Sequence, residues 1–78
     1  MSYKPDDFLC TKDIAREFDI SIATVYRRKK EMAMFPRFRS GIYMGGARTR
    51  FKELEEFMRF VHTPEYRKEL RELKAVIR

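Results

Sequence analysis

The stretch SIATVYRRKKEM, residues 21–32, decides how the rest of the chain is read. Ser21 is a good helix N-cap, because its hydroxyl oxygen accepts from an orphaned backbone N–H of the first turn. Advancing 100° per residue, Ile22 and Met32 fall within about 60° of Val25, which predicts one apolar side. Ala23, Arg27 and Lys30 fall near the opposite side, with Thr24 and Tyr26 on the flanks. The cations of the run Arg27-Arg28-Lys29-Lys30 are not alternated with acids as regular i,i+4 pairing would have them. A helix over 22–33 with a basic outer face is expected.

Upstream, Thr11 suits an N-cap, and Asp13 in the following turn suits the helix dipole. Ile14, Ala15 and Phe18 then line one stripe, and "DIS" at 19–21 breaks the pattern. Two short helices joined by about three residues, the second basic on its outer face, form a helix-turn-helix pattern. Before them, residues 1–8 read as an irregular lead-in, and "FLC" as a short apolar run with Cys10 a small buried hydrophobe.

Downstream the character changes. In FPRFRSGIYMGGARTRF, residues 35–51, aromatic and branched residues alternate roughly with polar ones, and Gly45-Gly46 is a two-residue hairpin signal. Strands are expected at about 38–44 and 47–51, a wing spanning 38–51. Arg48 and Arg50 share one face of the second strand, Ala47, Thr49 and Phe51 take the other, and Arg37 and Arg39 sit near the start of the first. KELEEFMRFV is amphipathic through Leu54, Phe57, Met58 and Val61, although neither Phe51 nor Lys52 caps it well. Thr63 as N-cap, Pro64 at the first helical position and Glu65 in the first turn open a last helix over 64–77. Its stripe is Tyr66, Leu70, Leu73 and Val76 or Ile77. The expectation is one domain over 1–78, mainly α with a small β-hairpin, of winged helix-turn-helix type.

Composition bounds the function. The 78 residues are 44% hydrophobic with seven Phe and four Tyr, enough for one compact core. The formal charge is +6, and residues 21–50 alone carry eight cations against one anion. A field so concentrated favours a polyanionic partner. A single cysteine allows no disulfide framework and no multi-cysteine zinc site. With no secretory leader and no apolar run of membrane length, a cytoplasmic, nucleoid-associated protein is expected. His62 stands alone, the acids of KELEEF form no isolated pair in an apolar setting, and Gly45-Gly46 is no phosphate loop. Nothing points to an enzyme, a cofactor, a metal or a small-molecule substrate.

A duplex groove suits the basic helix, since the major groove admits an α-helix. Arg27 then reaches a guanine edge, Thr24 a base edge or thymine methyl, and Ala23 the same outward surface. Tyr26, Arg28, Lys29 and Lys30, with the Ser21 hydroxyl, fall to phosphates. Arg48, Arg50 and Arg39 fall to the wing and the minor groove. The stripe Tyr66, Leu70, Leu73 and Val76 either packs onto the domain or offers a seam to another copy or a partner protein.

Several short motifs together carry a resemblance over residues 9–60. These are Ala15 to Ser21, Thr24-Val25-Tyr26-Arg27, Phe35-Pro36, Gly41 with Gly45-Gly46, and Phe51 with Leu54-Glu55 and Phe57. The pattern resembles the excisionases (recombination directionality factors) of phages and mobile elements, which share a MerR-like winged helix-turn-helix. The resemblance implies base reading by Thr24 and Arg27 and minor-groove contact by the hairpin arginines. It also implies several copies along double-stranded DNA, bending it and directing an integrase towards excision. The same fold also serves small phage transcriptional regulators and terminase small subunits. A protein-interaction module using the 64–77 helix, and RNA binding through the basic face, are the readings from other classes.

Overall fold

In the computed structural model, which describes residues 3–76, the chain runs β1 (Phe8–Leu9), α1 (Thr11–Phe18), α2 (Ile22–Met34), α3 (Pro36–Arg39), β2 (Ile42–Tyr43), β3 (Arg48–Arg50), α4 (Phe51–Phe60) and α5 (Pro64–Val76). It is mainly helical, with one small antiparallel sheet in the order β1-β3-β2. Residues from seven of these elements meet in one core, which includes Leu9, Ile14, Val25, Met32, Phe38, Leu54, Phe57 and Tyr66. No helix among the described residues is long and apolar enough to cross a membrane. Ile77, one of the two residues read as ending the last stripe, lies outside the described residues.

Asp19, Ile20 and Ser21 form the turn between α1 and α2, and Asp19 takes a left-handed φ of 54° that stops α1. Ser21 caps α2 as its sequence predicts, its Oγ accepting from the Thr24 N–H at 3.1 Å. Val25 and Met32 are buried, but Ile22 is 42% exposed, because the first turn of α2 projects past the core. Cys10, not Thr11, occupies the cap of α1, and Asp13 reaches back to accept from the Cys10 N–H at 3.5 Å and its Sγ at 3.2 Å. Cys10 is half-buried rather than a core residue.

Three expectations are corrected between residues 8 and 51. Phe8 belongs to a strand, not to the lead-in: β1 pairs antiparallel with β3, Phe8 opposite Arg50 and Leu9 opposite Thr49. The first half of the expected 38–44 strand is instead the helix α3. Pro36 sits at its first position, where the missing N–H costs nothing, and the i,i+3 pair Phe35 and Phe38 turns inward. Alternation of Phe with Arg imitates a strand, but three-residue spacing of the aromatics is what the core uses. Gly41 then lets α4 approach closely, since a Cβ there would lie 2.5 Å from the Glu53 Cβ. The hairpin turn, thirdly, is longer than two residues: Tyr43 pairs with Arg48 around a four-residue turn, 44–47, whose first three residues all have positive φ.

Helix α4 begins without a side-chain cap, as its residue types predict. Its N-terminus is satisfied by the lead-in backbone: Phe51 N–H donates to the Asp7 carbonyl at 2.8 Å, and Lys52 N–H to the Pro5 carbonyl at 3.0 Å. Pro64 opens α5, while the Thr63 hydroxyl donates back to the Phe60 carbonyl at 2.7 Å. The α5 stripe faces inward. Tyr66 is buried in an aromatic cluster with Phe35, Phe57 and Phe60, and Leu70 and Leu73 pack against the core. Among the described residues of that stripe only Val76 is exposed, so the seam expected for self-association is largely spent within the domain.

Candidate nucleic-acid interface

Helix α2 divides its four consecutive cations evenly. Ala23, Tyr26, Arg27 and Lys30 are all exposed, and their i, i+3, i+4, i+7 spacing makes one outward stripe. Arg28 and Lys29 turn the other way. The Lys29 ammonium donates to Thr11 Oγ1 at 2.8 Å and to the Gly46 carbonyl at 2.6 Å, and it lies 5.4 Å from the centre of the Tyr26 ring. Burial lowers its pKa from the ordinary lysine value. Arg28 donates to Glu31 Oε1 at 2.9 Å and to the Tyr66 hydroxyl at 3.0 Å. The Tyr66 hydroxyl in turn donates to Glu31 at 2.6 Å, and burial, then this bond, raises its pKa. Both cations therefore leave the phosphate-contact set expected for them: Lys29 is satisfied by Thr11 and Gly46, both distant in sequence, and Arg28 by its neighbour Glu31 together with the distant Tyr66.

The same 100° arithmetic that sets Arg27 opposite Val25 places Lys29 about 40° from Val25, on the apolar side. That signal was present in the sequence, masked by the residue's charge.

The hairpin arginines also separate. Arg48 is exposed at the base of the turn, one guanidinium N–H bonded to the Ala47 carbonyl at 3.1 Å. Arg50 forms two hydrogen bonds with the buried Glu53 carboxylate, one of them 2.6 Å from Nε to Oε1, and approaches Asp6 at 4.0 Å. The pair raises the Arg50 pKa and holds Glu53 below its ordinary value of 4.5. Arg50 is thereby committed to closing β3 onto α4 rather than to a wing tip. Arg39 is exposed on α3, off the hairpin altogether, and its neighbour Arg37 lies over the Phe60 ring at 4.5 Å. Thr24 is half-buried, its Oγ1 2.9 Å from Ser21 Oγ, so these two hydroxyls serve the helix cap first.

Between the start of α1, the outer edge of α2 and the 44–47 turn runs an open groove of about 650 Å³, with Lys12, Tyr26 and Lys30 along it and Gly45 to Ala47 forming one wall. Lys12 was not singled out from sequence, yet a cue existed. A cation in the first turn of a helix opposes the dipole, so Lys12 does nothing for the end of α1 that it occupies. The exposed set is then Ser21, Ala23, Tyr26, Arg27, Lys30, Lys12 and Arg48, on three neighbouring elements. From residue 32 to residue 52 the sequence has no acid at all.

The outer face of the sheet carries a second feature. Residues directly opposite across antiparallel strands share a face, so Phe8, Arg50, Arg48 and Tyr43 lie together on the side away from Leu9, Thr49 and Ile42. The Phe8 and Tyr43 rings meet edge-on across β3, 4.9 Å apart, and both are nearly half exposed. His62 is exposed at the rim of a shallow apolar groove bordered by Phe18, Ile20, Met58 and Val61.

No family model, curated protein or solved structure matches this chain.

Proposed function

We propose that the chain is a winged helix-turn-helix protein that binds double-stranded DNA, acting without catalysis as an excisionase-type architectural factor. The observation that carries the proposal is the exposed stripe Ala23, Tyr26, Arg27 and Lys30, with the Lys12–Lys30 groove and the glycine turn beside it. A helix of this width enters a major groove about 12 Å across. Arg27 then faces base edges, and one phosphate strand lies along the groove between α2 and the turn. Lys12, Tyr26 and Lys30 flank that strand, and Arg48 is left for the adjoining minor groove. The excisionase assignment is supported by the motif resemblance over residues 9–60, and it gives as partners an integrase and further copies of the chain on the same duplex.

Fluorescence anisotropy with labelled duplex DNA, single-stranded DNA and duplex RNA tests this directly. Tighter binding to duplex DNA is expected, with Arg27→Ala losing about 1–3 kcal/mol on a preferred site and less on random duplex. Equal affinity for all three nucleic acids, or no loss with Arg27→Ala, sinks the proposal. A footprint on the element encoding the protein separates the alternatives: protection at attachment-site arms supports excision, and protection at a promoter supports transcriptional regulation.

A further inference from the structure

Met44 stands at the tip of the β2–β3 turn, 78% exposed, in a left-handed backbone conformation with φ of 54°. Glycine or asparagine is the ordinary occupant of such a position, because a Cβ crowds the following carbonyl oxygen there and asparagine's polar side chain offsets this by local hydrogen bonding. Strain of this kind persists where the surrounding structure enforces it and tends to mark binding segments. A large apolar side chain on a strained, solvent-facing tip serves neither the core nor solubility.

The tip is both narrow and held. Gly45 and Gly46 follow with φ of 66° and 100°, and nothing lies within 4 Å of where their Cβ atoms would be. The turn closes through the Ala47 N–H to the Met44 carbonyl at 3.2 Å, and Lys29 fixes its far side through the Gly46 carbonyl. Behind the tip, Tyr43 pairs with the exposed Arg48. A thin, anchored tip thus offers an apolar end with a cation at its root, in a stretch that has no acid from residue 32 to 52.

We infer that Met44 is an apolar wedge that enters the minor groove and inserts between adjacent base pairs at a pyrimidine–purine step. Proteins that insert such wedges unstack one base step and kink the duplex, and TA and CA/TG steps yield most easily. Arg48 neutralises phosphate beside the opened step, while the glycines let the backbone approach the groove walls. The inference rests on the DNA-binding reading and adds to it the residue that deforms the duplex and the class of step it selects.

The test uses the full chain with an A·T-rich duplex carrying 2-aminopurine at each TpA step, and end-labelled duplex for energy transfer. Anisotropy on the same samples reports binding. Wild-type protein is expected to raise 2-aminopurine fluorescence several-fold and to shorten the end-to-end distance. Met44→Leu keeps both signals, whereas Met44→Ala loses most of both and retains its dependence on salt. Bound wild-type protein with no fluorescence rise, or an equal rise with Met44→Ala, overturns the wedge and leaves DNA binding standing. Absence of any duplex binding overturns both. Unchanged DNA signals, together with a sedimentation shift in Met44→Ala, reassign the tip to contact between copies and overturn the wedge. Because Met44 touches solvent rather than core, the circular dichroism of both variants stays that of the wild type.

Discussion

The Lys29 ammonium lies 2.6 Å from the carbonyl oxygen of Gly46, a bond that pins the middle of α2 to the tip of the hairpin. With Thr11 Oγ1 as its second acceptor, Lys29 ties three elements at one point. The hairpin is thereby held at a fixed distance from the basic stripe.

Lys29→Met keeps the apolar stem and removes the charge. The expected cost is about 1.5–3 kcal/mol in urea unfolding, the usual magnitude for a hydrogen bond to a charged group. In DNA titrations across a salt series, Lys30→Met is expected to reduce the slope of log K against log salt by about 0.9, one phosphate contact. Lys29→Met leaves that slope unchanged. A reduced slope in Lys29→Met returns that residue to the phosphate set.

Thr49 is fully buried at the centre of β3, and its hydroxyl has no hydrogen-bond partner. Valine has nearly the same shape and an equal preference for strands, and it removes the unpaired polar atom. Thr49→Val is expected to stabilise the fold by about 1 kcal/mol, raising the midpoint of thermal unfolding by roughly 4–8 °C for a domain of this size. A lowered midpoint shows that the hydroxyl is satisfied.

Acid sensitivity is expected to centre on Glu53. Its folded-state pKa is depressed by the hydrogen bonds from Arg50, so the unfolded chain takes up the proton first. The stabilisation is fully present above the ordinary value of 4.5 and is lost as pH falls through the lower folded value. Thermal midpoints measured from neutral pH downwards are expected to fall steeply below that value in the wild type. Glu53→Gln starts from a lower midpoint and declines more gently. Parallel curves remove Glu53 from the acid transition.

Much of α2 was legible because its determinants are local. A serine cap and the Val25 and Met32 period lie within one short window, and the structure keeps both. The placement of Thr49 between two arginines was legible for the same reason, since strand alternation has a period of two. The missed features depend on residues far apart. β1 is only two residues long and exists through pairing with β3, and nothing near Phe8 announces it. Lys29 looks like a free cation until Thr11 and Gly46 supply its partners, and Arg28 until the distant Tyr66 joins its neighbour Glu31; the Arg50–Glu53 pair, by contrast, is local, three positions apart. In the run of four cations, charge suggested one role, and burial assigned two.

The bonds from Phe51 and Lys52 to the carbonyls of Asp7 and Pro5 bear on the order of folding. They join the first residues of the domain to a segment more than forty positions later, as does the pairing of Phe8 with Arg50. Closing so long a loop is entropically costly before its contacts reward it. During synthesis the first strand must therefore wait for the start of α4 to emerge, while α1 and α2 meet early through neighbouring residues. The helical pair is expected to form first on the nascent chain, and the sheet to lock last, drawing the hairpin into place beside it.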